Sequence, residues 1–327
     1  MIITRTPFRI SFAGGGSDLP SFYEHEPGAV LSTAIDKYIY ISVMERFGST
    51  FRVSYSKTEL TDTVEQIEHP IVKACLRRSG LKRGLEIVSM ADLPAQSGMG
   101  SSSSFTVGLL HALKATEGRI VSQNSLAAEA CEIELKDLKE PIGKQDQYIA
   151  AHGGLQYIQF FPDGRVSVDP VGCLPETRRE LGRRLVVFFT GQTRFAREVL
   201  AKQSANTINK LGSVRELCNL ARSLKAILEN GNDLNRFGSI LNEAWQIKKS
   251  LESSISNSDI DLLYDRGLAA GALGGKLLGA GGGGFLLFFC EPHLQGRLRA
   301  ELSELQEMPF DLEPEGTKII HIGSNLW

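Results

Sequence analysis

Short segments in the first half of the chain alternate hydrophobic and polar positions, as half-buried strands do. They are rich in β-branched and aromatic residues, which favour extended backbone. These segments lie at 2–14, 38–47, 51–56 and 85–94. Helical spacing of apolar residues follows at 101–116 and 122–138. Two more alternating runs flank Pro162-Asp163-Gly164, which predicts a β-hairpin at 154–171 and the end of a first domain near residue 180.

The second half opens with the apolar run 185–190, which predicts a buried strand. Long helical patterns follow it, and a glycine-dense stretch precedes a last group of short elements. The helical patterns lie at 195–230 and 234–254, the glycine-dense stretch at 267–285, and the last group is a strand at 285–290, a helix at 293–305 and a strand at 318–322. This order predicts an α+β sandwich. We therefore expect an α+β protein with two domains, at 1–180 and 181–327.

Composition and charge exclude several classes of partner. The chain has 327 residues, of which 42% are hydrophobic, and this is enough for the cores of two domains. The 36 Lys and Arg residues against 38 Asp and Glu residues give a formal net charge of -2. Such a balance provides no bulk attraction for nucleic acid or for an anionic membrane. Any anion site must therefore be local.

The cysteines and the first residues bear on the compartment. Five cysteines lie far apart with no C-x-x-C pair, unlike a disulfide framework, and this pattern favours a reduced cytoplasmic protein. Arg5 and Arg9 interrupt the apolar N-terminal residues, so a signal-peptide core is not expected. No run approaches 18 apolar residues, so no membrane span is expected either. The six histidines lack zinc-ligand spacing.

The strongest local motif is the serine-rich loop at 93–113, in which a strand end and two glycines lead into four serines and a helix. Gly98 and Gly100 allow the backbone to approach a ligand, and the first amides of the helix point outward without partners. The helix dipole and the hydroxyls of 101–104 favour a phosphate or the oxygen shell of Mg²⁺. The alternative is a serine N-cap on an ordinary helix. The loop is not a Walker A motif, because no G-x-x-x-x-G-K-[ST] occurs.

Two further glycine motifs have both a functional and a structural interpretation. At 276–289, four consecutive glycines between strand-like runs indicate that something passes close to the backbone, and the alternative is a flexible hairpin tip. At 7–20, a strand runs into three glycines followed by Ser17-Asp18. The Asp18 carboxylate could accept hydrogen bonds from sugar hydroxyls, or it could hold its own loop as an Asx turn.

In this order and spacing, the three motifs resemble the signature motifs of the GHMP superfamily, which includes galactokinase, homoserine kinase and mevalonate kinase. The serine-rich loop is similar to the P-x-x-x-G-x-G-S-S loop that wraps the nucleotide triphosphate in that family. Leu278 departs from the pattern, because many members carry Ser or Thr there. The resemblance implies two α+β domains with the active site in the cleft between them. It also implies nucleotide contacts at Gly98, Met99, Gly100, Ser101, Ser102, Ser103, Ser104, Gly281 and Gly282.

The same resemblance implies the catalytic residues. Sugar kinases of the family carry a catalytic aspartate before a glutamine, which matches Asp146 in the segment 132–155. A carboxylate beside phosphate-binding loops suits the orientation or deprotonation of an attacking hydroxyl. Arg9 matches an arginine that lies near this aspartate. Glu134 matches the Mg²⁺ glutamate, with Ser102 as the second metal ligand, while Glu132 and a solvent-exposed helix face remain the alternatives.

Within the superfamily, segments 7–23, 142–160 and 276–289 resemble the D-glycero-D-manno-heptose 7-phosphate kinases. The resemblance implies ATP and Mg²⁺ as cofactors and a sugar phosphate as the acceptor, phosphorylated on its anomeric hydroxyl. The residues expected to hold the acceptor are Gly15, Gly16, Ser17, Asp18, Lys144, Arg194 and Gly283. Another sugar 1-kinase, a diphosphate decarboxylase and a silent ligand-sensing homologue remain the alternatives. We expect no nucleic-acid or membrane partner, and a homo-oligomer is compatible with the sequence.

Overall fold

The structure is a computed structural model that describes residues 1–81, 83–192, 196–231 and 233–323. Two β-sheets and their flanking helices form it, which confirms the α+β prediction. The strands are β1 (Ile2–Ala13), β2 (Gly28–Glu45), β3 (Phe51–Ser54), β4 (Thr58–Thr61), β5 (Leu85–Ala91), β6 (Leu155–Phe160), β7 (Val166–Pro170), β8 (Leu185–Phe189), β9 (Ala272–Leu277), β10 (Phe285–Cys290), β11 (Gln306–Glu307) and β12 (Lys318–Ile322).

Eleven α-helices connect these strands within the described residues. They are α1 (Pro20–Tyr23), α2 (Pro70–Ser79), α3 (Ser101–Thr116), α4 (Gln123–Cys131), α5 (Gln145–His152), α6 (Pro175–Arg184), α7 (Ala196–Asn206), α8 (Leu211–Asn230), α9 (Leu234–Leu251), α10 (Ser258–Ala269) and α11 (Gln295–Glu301). Short 3₁₀ turns lie at Val64–Gln66, Thr207–Lys210 and Ser253–Ile255, and a π-helical turn lies at Glu132–Asp137. No helix in these ranges is both long enough and apolar enough to cross a membrane.

The larger sheet is built around β2. This strand of 18 residues pairs with β1 on one edge, while its other edge pairs with β6 in its first part and with β5 in its second part. The remaining order is β12-β1-β2-β5-β3-β4, with β7 joined to β6. The register between β1 and β2 shifts between Ser11 and Ala13. A bulge of this kind bends the strand and re-aims the chain that follows it, here a glycine loop.

The smaller sheet has the order β11-β8-β10-β9, and all its pairs are antiparallel. Its central strand β10 is buried along its whole length, which explains its continuous apolar sequence. Helix α9 packs on β9, whereas α3 and α8 both pack on β1 and β2 of the larger sheet. Helix α8, from the second half of the chain, therefore packs on the larger sheet.

Most predicted elements are confirmed, and the differences have local causes. The hairpin around Pro162-Asp163-Gly164 is β6–β7, and the helix predicted at 101–116 is α3. The helix predicted at 122–138 leaves α-helical geometry after Cys131 and continues as the π-helical turn. The terminal strand, expected in the second domain, pairs antiparallel with β1 of the larger sheet, with Ile322 opposite Ile2. The division at residue 180 stays a prediction, and β12 returns across it.

Candidate functional site

Arg9 of β1 and Asp146 of α5 form a salt bridge. Arg9 Nε donates to Asp146 Oδ1 and Nη2 to Oδ2, both at 2.7 Å. The third guanidinium nitrogen donates to Gly98 O at 2.7 Å, so the arginine also holds the serine-rich loop. Arg9 is 5% exposed, whereas the Asp146 side chain is 23% exposed. Bidentate pairing fixes the carboxylate, which remains partly exposed.

The N-terminus of α3 presents its amides beside this pair. Gly100 is the N-cap residue, and Ser104 N already donates to Gly100 O. The amides left free of the helix's own hydrogen bonds are therefore those of Ser101, Ser102 and Ser103. Ser104 differs from the expectation, because its hydroxyl is buried and donates to Pro7 O at 2.8 Å. Its side chain anchors the helix to β1, so the expected phosphate contact falls to the three preceding residues.

Glu134 lies under the serine-rich loop, fully buried. Its carboxylate accepts hydrogen bonds from Ser102 Oγ at 2.7 Å, Ser103 Oγ at 2.9 Å and Gln147 Nε2 at 2.6 Å. Burial raises the pKa of Glu134, and these three donors oppose that rise. A carboxylate with three donors is held in one position, so its geometry is set before any ligand arrives.

Glu132, the alternative metal residue, points elsewhere. It accepts a hydrogen bond from Arg78 at 2.8 Å and pairs with Lys136, and these partners lower its pKa. Residues two positions apart do not share a face of a helical turn, so Glu134 is buried while Glu132 lies at the surface. Of the two candidates, the structure therefore brings only Glu134 to the serine-rich loop.

The oxygens at this position fit the needs of Mg²⁺. This ion binds one or two protein oxygens together with phosphate oxygens and water, with neighbouring ligands about 3 Å apart in an octahedron. Ser102 Oγ and Glu134 Oε1 are 2.7 Å apart at the mouth of the α3 N-terminus. Among the described residues, no group of three or more His, Cys, Asp or Glu side chains is arranged for a metal. A cation here would therefore depend on ligand phosphates for most of its shell.

The serine-rich loop and the third glycine motif are packed backbone against backbone. A Cβ on Gly98 would lie 2.5 Å from Leu278 O, and a Cβ on Gly279 would lie 2.6 Å from Gly98 Cα. A Cβ on Gly284 would lie 2.5 Å from Ser97 O. The glycines are therefore required because two segments of the same chain meet, which places β9 and β10 directly behind the loop.

Gly98→Ala is expected to lower the free energy of unfolding by about 2–4 kcal/mol, because the new Cβ adds a backbone clash to an unfavourable φ of +80°. Gly118→Ala is the matched control, since Gly118 has φ +69° and a Cβ there would meet no atom within 4 Å. It is expected to cost about 1 kcal/mol. Urea denaturation of both variants checks this, and equal losses would contradict the close contact between the loops.

The glycines expected to contact ligands at 281–283 instead contact the protein itself. Gly282 N donates to Ile255 O at 3.0 Å, and a Cβ on Gly281 would lie 2.6 Å from the same oxygen. A Cβ on Gly283 would lie 3.0 Å from Gln192 O. All three glycines are buried. The groups that lie close to this motif are thus the backbone carbonyls of Gln192 and Ile255.

The first glycine loop holds Asp18 as an acceptor for its own amides. Gly16 N donates to Asp18 Oδ1 at 2.9 Å, while Gln145 Nε2 donates to Oδ2 at 3.0 Å. Burial raises the pKa of Asp18 and these bonds oppose it. Gly15 is the partly exposed member of the loop, and a Cβ there would lie 3.8 Å from Gln145 Nε2. Asp18 is thereby tied to the residue that precedes Asp146.

The side chains of Ser17 and Lys144 make contacts away from Asp18 and Asp146. Ser17 is fully buried, and its hydroxyl exchanges hydrogen bonds with the Ala29 backbone at 3.0 and 3.1 Å. It therefore holds β2 rather than a ligand. The Lys144 ammonium donates to Gly164 O at 3.1 Å and lies 4.3 Å from the centre of the Tyr23 ring. Arg194, the other cation expected to bind the acceptor, lies outside the described residues.

Two buried lysines were missed by the sequence analysis. Lys248 of α9 donates to Gln203 Oε1 at 2.8 Å and to Gly15 O at 3.3 Å. Lys276 of β9 donates to Ser11 O at 2.8 Å and to Phe12 O at 3.0 Å. The signal available in the sequence was a single lysine inside the buried strand 272–277. Its target could not be read from the sequence, because it lies 265 residues away.

These lysines make stability depend on pH. Burial lowers the pKa of Lys276 to about 7, with the positive charges of Lys248 and Arg9 adding to the shift. Burial also lowers the pKa of Lys248 to about 8, which the nearby Asp18 opposes. Since an unfolded lysine has a pKa of about 10.4, the unfolded chain binds more protons between about pH 7 and 10. The free energy of unfolding should therefore rise with pH over this window.

Urea denaturation at pH 7 and pH 9 tests that sign. The wild-type free energy of unfolding is expected to gain up to about 1.4 kcal/mol per pH unit relative to Lys276→Met, which lacks the titrating group. Parallel pH profiles for the two proteins would show that Lys276 does not titrate in this range.

Two family models match the chain. The GHMP kinases N terminal domain matches residues 67–154, and the GHMP kinases C terminal model matches residues 220–307. The D-glycero-alpha-D-manno-heptose 7-phosphate kinase of Campylobacter jejuni is 30% identical over 340 residues, with 95% of this chain and 97% of that protein covered. The chain belongs to the GHMP kinase family. The matched N-terminal segment contains the serine-rich loop, Glu134 and Asp146.

Other relatives agree with this assignment. The crystal structure of a D-glycero-D-manno-heptose 1-phosphate kinase from Bacteroides thetaiotaomicron superposes with a TM-score of 0.82 at 26% identity, covering 99% of this chain and all of that one. The bifunctional fucokinase/GDP-fucose pyrophosphorylase of Arabidopsis thaliana is 29% identical over 94% of this chain but only 31% of that protein. This GHMP kinase is a phosphotransferase that acts on sugar hydroxyls, and its kinase relatives imply the use of ATP.

Proposed function

We propose that this GHMP kinase transfers the γ-phosphoryl group of Mg·ATP to the anomeric hydroxyl of D-glycero-D-manno-heptose 7-phosphate, giving the 1,7-bisphosphate. Such a product is a precursor of the nucleotide-activated heptose used for surface polysaccharides. The observation that carries the proposal is the fixed Arg9–Asp146 pair, whose partly open carboxylate lies between the α3 N-terminus and the Asp18 loop. The named activity of the Campylobacter relative supports the choice of sugar.

Asp146 acts on the acceptor. Its carboxylate accepts a hydrogen bond from the sugar hydroxyl and orients one oxygen lone pair toward the γ-phosphorus. As the new P–O bond forms, the bond to the ADP oxygen breaks, and the hydroxyl proton passes to Asp146. Phosphoryl-transfer transition states are loose, so positioning contributes at least as much as proton removal. Arg9 keeps the carboxylate in place through both of its oxygens.

The α3 N-terminus would hold the triphosphate. Free amides of Ser101, Ser102 and Ser103 donate to phosphate oxygens, and the helix dipole favours their negative charge. Glu134 and Ser102 would hold Mg²⁺, which supplies charge neutralisation on the phosphate oxygens when it is bound. Glu134 is prepared for this by its three hydrogen-bond donors.

The Asp18 loop would bind the sugar. Gly15 lies beside Gln145, and Gln145 joins Asp18 to the start of α5, so hydroxyls of an acceptor at Asp146 lie within reach of this loop. Gly16 and Asp18 fix its shape. We retain Lys144 and Arg194 as candidates for the acceptor phosphate, although Lys144 must leave Gly164 to reach it. We also place the protein in the reducing cytoplasm, where five unpaired cysteines are stable.

A second candidate is another sugar 1-kinase. It is favoured by the similarity to the fucokinase part of the Arabidopsis protein, and by the different phosphate position in the name of the Bacteroides relative. These activities would use the same Arg9–Asp146 pair and the same serine-rich loop. They differ only in the sugar that the Asp18 loop binds.

A substrate panel separates the candidates. ADP formation is measured as kcat/KM for heptose 7-phosphate, heptose 1-phosphate, free heptose, mannose, galactose and fucose, with Asp146→Asn as the blank for background ATP hydrolysis. A phosphate held by charge-assisted hydrogen bonds should give at least about tenfold preference for heptose 7-phosphate over the free sugar. Equal use of a free sugar would contradict the proposed acceptor and leave the second candidate.

A further inference from the structure

The bulge at the end of β1 interrupts the regular backbone pairing between β1 and β2. The register against β2 shifts between Ser11 and Ala13, so Phe12 has no partner in the ladder. Phe12 lies three residues after Arg9 and two residues before Gly14. Any change in the bulge therefore alters the path from the catalytic arginine to Asp18.

Lys276 binds this bulge from the other half of the chain. Its side chain leaves β9, and its nitrogen donates to Ser11 O at 2.8 Å and Phe12 O at 3.0 Å. The residue is 8% exposed, and no carboxylate is paired with it among the described salt bridges. Burying a lysine without a counter-ion is unfavourable, so carbonyl capping must offset the cost. Either the ammonium or the neutral amine has enough N–H bonds for both carbonyls.

Lys248 binds the next turn of the same loop. Its nitrogen donates to Gly15 O at 3.3 Å and to Gln203 Oε1 at 2.8 Å, and it is 7% exposed. A Cβ on Gly16 would lie 2.3 Å from Gln203 Nε2, so the glutamine also packs on the loop. Lys276 and Lys248, both from the second half of the chain, thus donate hydrogen bonds to the segment 11–16 at two successive places.

We propose that Lys276, assisted by Lys248, is a positioning residue for phosphoryl transfer that sets the acceptor loop 11–18 against the Arg9–Asp146 pair. The inference rests on the proposed function, because it assigns the acceptor to that loop. Neither lysine touches the reacting atoms. Each acts by holding backbone carbonyls, so that Gly15 and Asp18 stay at a fixed distance from Asp146.

Lys276→Met keeps the length and the apolar stem of the side chain and removes the N–H donors. Because small misplacements in a phosphoryl-transfer site are costly, kcat/KM for the sugar acceptor should fall by about a hundredfold, chiefly through KM. The Kd for ATP should change by less than about threefold, since the α3 N-terminus is not part of the loop. Lys248→Met should show the same split with a smaller loss, and it serves if Lys276→Met does not fold.

Lys249→Met is the matched control, because Lys249 neighbours Lys248 in α9 but pairs with Asp261. It should leave both the acceptor KM and the Kd for ATP unchanged.

Amide hydrogen exchange of peptides covering 10–19 gives a readout that does not depend on activity. Exchange there should speed up in Lys276→Met, while peptides covering β8 and β10 stay protected. Wild-type acceptor KM, or unchanged exchange at 10–19, in folded Lys276→Met overturns the proposal. If no sugar is phosphorylated by the wild type, the proposed function fails separately, and the exchange result alone decides the role of Lys276.

Discussion

Asp146→Asn is expected to lower kcat by about 10³-fold while the Kd for ATP stays within a few-fold. The asparagine amide cannot take the hydroxyl proton, and it places an N–H donor against the Arg9 guanidinium, which also donates. Both the acceptor contact and the orientation of the pair are therefore lost. The nucleotide contacts lie on α3 and are left in place. Single-turnover kinetics with calorimetric titration of ATP separates the two effects.

Gln145→Ala gives a useful comparison for Asp146→Asn. It removes the hydrogen bond from Gln145 Nε2 to Asp18 without touching the Arg9–Asp146 pair. Its effect should fall mainly on the KM of the acceptor. A near-normal kcat in Asp146→Asn would remove this aspartate from the chemical step and require another residue to orient the hydroxyl.

Glu134→Gln is expected to reduce kcat/KM for Mg·ATP by about 10²- to 10³-fold. The change removes the negative charge that would face Mg²⁺, and it presents an amide N–H toward Ser102 or Gln147, which both donate to Glu134 now. The variant should also need a higher Mg²⁺ concentration for half-maximal rate. A magnesium titration of the initial rate measures both quantities.

Glu132→Gln is the matched control for Glu134→Gln. It lies two residues away in the same π-helical turn and makes the same chemical change, but its partners are Arg78 and Lys136 at the surface. Its kinetic constants should match those of the wild type. If Glu132→Gln shifts the magnesium dependence and Glu134→Gln does not, the metal assignment must be exchanged between them.

The local features of the site were accessible from the sequence. The two glycines and four serines before an apolar helical pattern specified a helix N-terminus open to an anion, and α3 begins at Ser101 as expected. A motif of this kind is short, so its physical interpretation needs no distant residue. The pairing of Arg9 with Asp146 is different, because 137 positions separate them and only the family resemblance brought them together.

Distant contacts account for what the sequence analysis missed. The four glycines at 281–284 correctly indicated a close approach, but the approaching groups are the chain's own carbonyls at Ser97, Gln192 and Ile255. Lys276 gave no sign of its target, since its partners lie at the far end of the sequence. Lys144 stays a predicted phosphate ligand, and nothing in the sequence indicated its contacts with the Tyr23 ring and Gly164 O. Side-chain direction depends on packing that a linear pattern does not contain.

The proposed reaction moves a phosphoryl group from ATP to the anomeric oxygen of a sugar phosphate. It is tested most directly by incubating the protein with ATP, MgCl₂ and heptose 7-phosphate and following the products by ³¹P NMR with proton–phosphorus correlation. We expect one ADP for each new phosphomonoester, with the new phosphorus signal coupled to the anomeric proton and the 7-phosphate retained. ADP release without a new sugar phosphate, or a new phosphate correlated with any other proton, would contradict it.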